Sequence, residues 1–298
     1  MTYLFFSAMS KLNPSYRGED AKNTAAKRHG LKLQVLNYDC KFGANGMLCC
    51  CDEKMLPEKR REIIADAEAG NICGGDVMIM DHLPSLAKPG ALVMDMDMTT
   101  VQIEGIDEIA RRLGVYEQVA AITSEAMHGN LDFATSLKRR VAMLKGGSVS
   151  VLDEVKKIMT ETEGLKELME VVTLAGWKKA VCSGGFTQLI DVIDKKYGLD
   201  LIKANTLAVS DGRFTGEVAG EIVDAEAKRR GVLEIMERYS ISKEQVIVIG
   251  DGANDLKMMQ EGGLGIAYWA KPKVRAQAPQ VLSRSFLSAV ALLLMLNS

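Results

Sequence analysis

Two aspartates, Asp95 and Asp97, follow directly on a short apolar segment. The pattern predicts a buried parallel strand over residues 91–97 that carries both side chains at its carboxyl end. Because side chains alternate along a strand, the two carboxylates should lean to the same side. Two neighbouring carboxylates repel each other unless a bound cation offsets their negative charge, and Mg²⁺ prefers such oxygen ligands. Taken alone, the pattern, which ends in Thr99, is equally compatible with a polar strand end or a turn.

Two further polar positions lie next to predicted helices. A strand over residues 178–182 ends at Ser183 and Gly184, where a hydroxyl and backbone N–H groups can face an anion. An ordinary helix N-cap with a glycine turn is the simpler interpretation of this segment alone. Lys228 lies near the start of a helix predicted over residues 224–239. A lone lysine there usually belongs to a solvated face.

A third strand, predicted over residues 245–249, again ends in acidic residues before a helix. An Asx-capped helix start would explain one of these residues but not Asp251, Asn254 and Asp255 together. Ligands of open α/β sheets bind at the carboxyl ends of the strands. These positions therefore predict one polar site at that edge.

The elements that must position this site alternate between strands and helices, which predicts an α/β fold with a doubly wound parallel sheet. Residues 106–162 carry helical periodicity, interrupted at Gly114, Gly129-Asn130 and Gly146-Gly147. They predict an all-helical cap of three or four helices between the first two core strands, able to cover the site and exclude water. The predicted core is residues 83–105 and 163–298.

Residues 1–82 predict a separate, small α+β domain in the order β-α-β-β-α-β, which is ferredoxin-like or ACT-like. Its predicted elements, in chain order, are a strand at 3–9, a helix from Asn13-Pro14 to Gly30, strands at 31–38 and 46–51, a helix at 57–69 and a strand at 76–80. The domain carries no chemical motif. A regulatory role and a dimerising role, giving a homodimer, are both open.

Composition excludes several function classes. The 298 residues are 47% hydrophobic and 26% charged, with a net charge of −2, so neither nucleic acid nor an anionic membrane is an expected partner. The start lacks the basic region of a secretory signal, and the apolar run at 289–296 is too short to span a membrane. A cytoplasmic location is expected. Six cysteines occur, at 40, 49–51, 73 and 182. The run 49–51 lies in an apolar stretch and predicts small buried hydrophobes in a reducing compartment rather than a simple metal site.

Taken together, the motifs resemble those of the haloacid dehalogenase-like (HAD) phosphohydrolases, and most closely the branch that acts on phosphoserine. The resemblance covers residues 91 to about 282. The segments that carry it are Asp95–Thr99, Gln102–Ala110, Leu131–Phe133, Ser136–Val141, Ser183–Phe186, Asp211–Gly216, Gly250–Leu256, Gly265–Tyr268 and Ala270–Pro272. It implies a Mg²⁺-dependent enzyme that converts O-phospho-L-serine to L-serine and phosphate through an aspartyl-phosphate.

The resemblance also implies a role for each site residue. Asp95 would be the nucleophile and Asp97 the general acid and base. Mg²⁺ would be held by Asp95, the backbone carbonyl of Asp97 and Asp251, with Asp255 supporting them. The phosphoryl group would be bound by Ser183 and Lys228, with Gly184 and Asn254 beside it.

The predicted cap would supply the specificity for an amino acid. Glu104 would meet the substrate ammonium and Arg140 its carboxylate, while Met127 and Phe133 would wall the pocket. Without the resemblance, a surface Glu104 and a solvated Arg140 would be the simpler interpretation. One departure stands out, since Met98 replaces the usual serine and puts the substrate fit in doubt.

Three alternatives stay open at this point. The first is a related phosphatase or phosphotransferase for another small phosphorylated amine or alcohol. The second is a catalytically silent amino-acid sensor, against which the intact set Asp95, Asp97, Lys228 and Asp251 argues. The third is a receiver-type signalling domain, which the helical insertion disfavours.

Overall fold

Two sheets organise the fold, a four-stranded sheet near the N-terminus and a seven-stranded sheet that carries the polar strand ends. This computed structural model describes residues 1–9, 12–72, 74–128 and 131–298. The predictions that involve Cys73 and the Gly129-Asn130 break lie outside the described residues.

The small sheet is antiparallel, in the order β2-β3-β1-β4. Its unit contains β1 (Thr2–Met9), α1 (Gly18–His29), β2 (Gln34–Lys41), β3 (Ala44–Cys51), α2 (Pro57–Glu68) and β4 (Asp76–Met80). The predicted β-α-β-β-α-β order is confirmed. The start predicted for α1 is wrong, because the N–H of Asn13 donates to the Met9 carbonyl and the chain first turns. β2 likewise begins at Gln34 rather than at residue 31.

Both faces of the small sheet are covered. Cys49 and Cys51 pack with buried residues of α1 and α2, whereas Leu48 packs with the C-terminal helix of the core. Gly46 permits that close approach, since an added β-carbon would lie 2.8 Å from Leu292 Cδ2. Burial raises the pKa of the Cys49 thiol to about 12, as expected for a buried, unreactive cysteine. The homodimer through residues 1–82 stays a prediction.

The large sheet has the order β11-β10-β9-β5-β6-β7-β8 and is parallel except for the β7–β8 hairpin. Its strands are β5 (Ala91–Met94), β6 (Lys178–Phe186), β7 (Leu201–Ser210), β8 (Arg213–Ala219), β9 (Val246–Gly250), β10 (Leu264–Tyr268) and β11 (Gln280–Leu282). The predicted doubly wound α/β core is confirmed. β5 lies between β6 and β9, which brings three polar strand ends together.

In the described part of the chain, four cap helices follow β5, and six further helices, the first of which leads into β6, pack around the core. The cap helices are α3 (Gly105–Arg112), α4 (Tyr116–Met127), α5 (Phe133–Ala142) and α6 (Val151–Ile158). The others are α7 (Leu165–Leu174), α8 (Thr187–Tyr197), α9 (Ala225–Tyr239), α10 (Leu256–Glu261), α11 (Pro272–Arg275) and α12 (Ser288–Leu296). Within the described ranges, no helix has the length and apolar character needed to cross a membrane.

The central strand is shorter than predicted. β5 ends at Met94 rather than at residue 97, because the N–H groups of Thr99, Thr100 and Val101 all turn back onto the Met96 carbonyl. Asp95 still pairs with the neighbouring strand, since its N–H donates to the Ile249 carbonyl at 2.9 Å. The two aspartates therefore reach the site from a tight loop rather than from alternating strand positions.

Asp76 joins the small sheet to the core. It is 3% exposed, and its carboxylate accepts from the N–H of Ser283 at 3.1 Å and of Arg284 at 2.8 Å. Asp76→Ala leaves both N–H groups without this partner, and each loss costs about 1–3 kcal/mol. We expect the free energy of unfolding in urea to fall by about 2–6 kcal/mol, whereas Asp20→Ala, at an exposed position of α1, should change it little.

This loss should also depend on pH. Burial raises the pKa of Asp76 to about 6, above its usual value near 4 in an unfolded chain. The stability that the group contributes is therefore complete below about pH 4 and is lost as the pH rises through about 6. The difference in the free energy of unfolding between wild type and Asp76→Ala should therefore decrease as the pH rises over that range. If this difference increases with pH instead, the ionised form of Asp76 is the one that stabilises the contact between the small sheet and the core.

Candidate active site

The buried centre of the site is an ion pair network around Lys228. Lys228 is 0% exposed, and its Nζ lies 2.9 Å from Asp95 Oδ1 and 2.6 Å from Asp255 Oδ1. The lysine is placed by its helix, whose N-cap Asp224 accepts from the Ala227 N–H at 2.8 Å. Burial opposes the charge on Lys228, but the carboxylates outweigh it and hold its pKa above the usual range.

Asp97 lies where the cap begins, next to the first turn of α3. Its Oδ2 accepts from the Gly105 N–H, the first residue of α3, at 3.2 Å. Gly185 lies close by, since an added β-carbon would be 3.2 Å from Asp97 Oδ2. Burial, reinforced by the charges of Glu104 and Asp95, raises the pKa of Asp97 well above its ordinary value. Asp97 is thus prepared to carry a proton.

Ser183 supplies a buried hydroxyl within β6, which runs to Phe186 rather than ending at residue 182, at the point where its pairing with β7 is interrupted. It is 1% exposed, and its Oγ accepts from the Gly185 N–H at 2.9 Å, which leaves the hydroxyl hydrogen to face a ligand. Asn205, on β7, fixes the adjacent loop by donating to the Gly184 carbonyl at 2.8 Å. The sequence interpretation missed Asn205. The burial of Asn205, which is 1% exposed, becomes visible only in the folded structure, and no local sequence pattern marks it.

Asp251, just beyond β9, completes the acidic cluster. Oxygens of Asp95, Asp251 and Asp255 all lie within 4.8 Å of one another. Burial and the charge of Asp95 raise the pKa of Asp251 and of Asp255 to about 7. The single positive charge of Lys228 does not neutralise this cluster, so the residues present fit a hard divalent cation.

Asp255 is already engaged by other partners. One oxygen meets Lys228, and the other accepts from the Gly252 N–H at 2.9 Å. Asp251 has one contact of this kind among the described residues, from Thr99 Oγ1 at 3.4 Å. This difference favours Asp95 and Asp251 as direct metal ligands and Asp255 as their support.

Cap helix α5 faces the strand ends. Its N-cap Asp132 accepts from the Thr135 N–H at 2.9 Å, which fixes the start of the helix at Phe133. The Phe133 ring lies over Gly184, where an added β-carbon would be 3.0 Å from Cζ and 3.9 Å from Asn254 Nδ2. These three predicted site residues are thus brought together.

Arg140, two turns further along α5, meets the acidic side of the site. Burial lowers the pKa of Arg140 below its usual range, and the charges of Asp107, Glu104 and Asp97 offset this only in part. Glu104 is exposed at the rim, yet partial desolvation and the charge of Asp107 raise its pKa. Met127, the last residue of α4, is 69% exposed, so its role as a pocket wall stays a prediction.

Met98 lies in the loop between the two aspartates and the cap. Its φ of 56° is in the left-handed region, which disfavours an unbranched apolar side chain, and the residue is 37% exposed. The loop imposes this conformation by turning back on Met96.

A doubly wound sheet with an acidic, lysine-containing site at its carboxyl edge defines the chain as an α/β enzyme. Residues 92–260 match the haloacid dehalogenase-like hydrolase family, and the chain belongs to that family. The predicted resemblance is therefore confirmed.

Known relatives extend the comparison. The chain is 45% identical to a phosphoserine phosphatase of Haemophilus influenzae over 74% of its own length and 71% of the relative's. It superposes on a HAD family hydrolase of Salmonella enterica serovar Typhi with a TM-score of 0.85, 30% identity, and coverage of 99% and 98% of the two chains. A phosphoserine phosphatase solved as an analogue of its phospho-aspartyl intermediate has a TM-score of 0.62, 40% identity, and coverage of 66% and 95%.

Proposed function

We propose that this chain is a Mg²⁺-dependent phosphatase that converts O-phospho-L-serine to L-serine and phosphate. The observation that carries the proposal is that the charges of Arg140 and Glu104 interact with each other and with Asp97 and Asp95 of the buried centre, where Asp95 pairs with Lys228. One end of the site suits a phosphoryl group, and the other offers opposite charges to a carboxylate and an ammonium. The phosphoserine phosphatases among the relatives support the same substrate.

Asp95 is the nucleophile in this account. A carboxylate oxygen of Asp95 attacks phosphorus, an aspartyl-phosphate forms, and the bond from phosphorus to the serine oxygen breaks. Asp97, whose raised pKa lets it hold a proton, gives that proton to the departing serine oxygen. The ionised Asp97 then takes a proton from a water that attacks phosphorus, which releases phosphate and restores Asp95.

Fixed donors stabilise the phosphoryl oxygens throughout. The Ser183 hydroxyl and the remaining N–H of Lys228 donate to them, and Gly184 and Asn254 lie beside them. These groups are held by Gly185, Asn205 and Asp255 before the substrate arrives, so little reorganisation is needed in the transition state.

The acidic cluster would hold Mg²⁺ through Asp95, Asp251 and the backbone carbonyl of Asp97, with Asp255 behind them. Bound there, the ion would neutralise charge on the phosphoryl oxygens and allow a carboxylate to approach them.

Substrate choice rests on the cap, and Arg140→Ala tests it. We expect kcat/KM for O-phospho-L-serine to fall about 100-fold or more, because a desolvated charge pair with the substrate carboxylate is lost. For phosphoethanolamine, which lacks the carboxylate, kcat/KM should fall by less than about 3-fold. Phosphate release measured on both substrates gives the two ratios.

Arg139→Ala is the matched control. Arg139 is the exposed neighbour on α5 and pairs with Glu125 at 2.8 Å, so its removal should leave both substrates unaffected. If Arg140→Ala lowers kcat/KM equally for both substrates, Arg140 has a structural role rather than a role in binding the substrate carboxylate. A wild-type enzyme that prefers phosphoethanolamine would favour the alternative of another small phosphorylated amine as substrate.

A further inference from the structure

Ser136, in the middle of α5, has a buried hydroxyl that forms no hydrogen bond with the described residues. The residue is 1% exposed, and its Oγ has no hydrogen-bond partner among the described residues. A helical serine often returns its hydroxyl to the carbonyl four residues earlier, but Ser136 makes no such bond. A buried hydroxyl without a partner destabilises a protein, so a ligand that supplies the partner would remove this cost.

A second buried polar atom of the same helix is also without a partner. Arg140 Nε, one turn further on, has no hydrogen-bond partner within the described part of the chain. Residues four apart on a helix are neighbours on its surface, so the two groups lie on adjacent positions of one face. Both a hydroxyl and a guanidinium N–H can donate, which calls for an acceptor between them.

The same face of α5 borders the active site. Phe133, three residues before Ser136, contacts the Gly184 loop beside Ser183. Arg140 faces the carboxylates of Asp107, Glu104 and Asp97. Ser136 therefore lies between the phosphoryl end of the site and the guanidinium that meets the other end of the substrate.

We infer that Ser136 is a substrate-binding residue that donates its hydroxyl to the substrate carboxylate, alongside Arg140. This inference rests on the proposed phosphoserine activity and adds a second donor to the carboxylate subsite. Two donors hold the carboxylate in two directions, which strengthens substrate binding at this end of the site. The phosphoryl group is not the acceptor, because Ser183 and Lys228 already serve that end.

The test is Ser136→Ala, assayed by phosphate release from two substrates. We expect KM for O-phospho-L-serine to rise about 10-fold or more, as for a lost hydrogen bond to a charged group, with kcat changed less than about 2-fold. Both constants for phosphoethanolamine should stay unchanged. Ser136→Thr, which keeps the hydroxyl, should recover most of the lost affinity, and Ser124→Ala, at an exposed position of α4, controls for a serine lost from the cap.

Two results would overturn the inference. An unchanged KM for phosphoserine would mean that the hydroxyl meets a water or nothing. Equal losses with phosphoethanolamine would mean that Ser136 only packs the cap. If the wild-type protein does not hydrolyse phosphoserine, the proposed function is wrong and this inference is wrong with it. The two results above differ from this one, because in both of them the wild-type protein is active on phosphoserine.

Discussion

Asp95→Asn should abolish phosphate release while leaving the fold intact. The substituted amide is a very poor nucleophile, and removal of a nucleophile costs roughly 10⁴-fold or more in kcat. The fold should tolerate the change, because the Asn oxygen can still accept from the Met96 N–H, a bond of 2.7 Å in the wild type. The substitution also removes one charge from an acidic cluster. Steady-state kinetics and thermal unfolding measure the two effects separately.

Asp211→Asn provides the control for this substitution. Asp211 lies in the exposed β7–β8 turn with φ of 52°, a conformation that asparagine accepts as readily as aspartate. Its kinetics should match those of the wild type. Turnover by Asp95→Asn within about 10-fold of wild type would remove Asp95 as the nucleophile.

Lys228→Met should damage both stability and catalysis. The change leaves the buried carboxylates of Asp95 and Asp255 without the cation that lies between them. Breaking a buried pair in this way costs about 3–5 kcal/mol, which urea unfolding in chelator would report. The loss of a donor to the phosphoryl oxygens should lower kcat by roughly 10²- to 10³-fold in the folded fraction.

The loss of stability in Lys228→Met should grow with pH. Even beside the lysine, the pKa of Asp255 is raised to about 7, and without the lysine it rises further above the unfolded value. A group with a raised folded pKa contributes stability that is present at low pH and lost as the pH increases. Lys257→Met, in an exposed pair with Glu226 at 3.5 Å, should change neither quantity much. A stable, active Lys228→Met protein would contradict the arrangement described here.

Much of the site could be predicted because its parts follow apolar strands. Asp95, Ser183 and Asp251 stand at the ends of three such segments, and parallel strands bring their carboxyl ends to one edge. The strand order β6-β5-β9, which makes the three neighbours, depends on packing between distant segments. The family resemblance, rather than periodicity, supplied the prediction for Glu104 and Arg140.

What could not be predicted lies mostly in long-range contacts. Asn205 and Asp76 act through backbone groups 21 and 207 residues away, so no local pattern marks them. The early end of β5 follows from three N–H groups that share one carbonyl, which the alternation of side chains does not encode. The orphaned hydroxyl of Ser136 likewise becomes visible only when the cap is packed on the core.

Phosphate release from O-phospho-L-serine, with Mg²⁺ and with EDTA, tests the central claim most directly. Phosphothreonine, phosphoethanolamine and p-nitrophenyl phosphate complete the panel. We predict metal-dependent turnover with the highest kcat/KM for phosphoserine, by at least about 10-fold over each of the others, and loss of activity in EDTA that returns with Mg²⁺. Turnover of the other esters without phosphoserine, or phosphoserine turnover that EDTA leaves unchanged, would contradict the account.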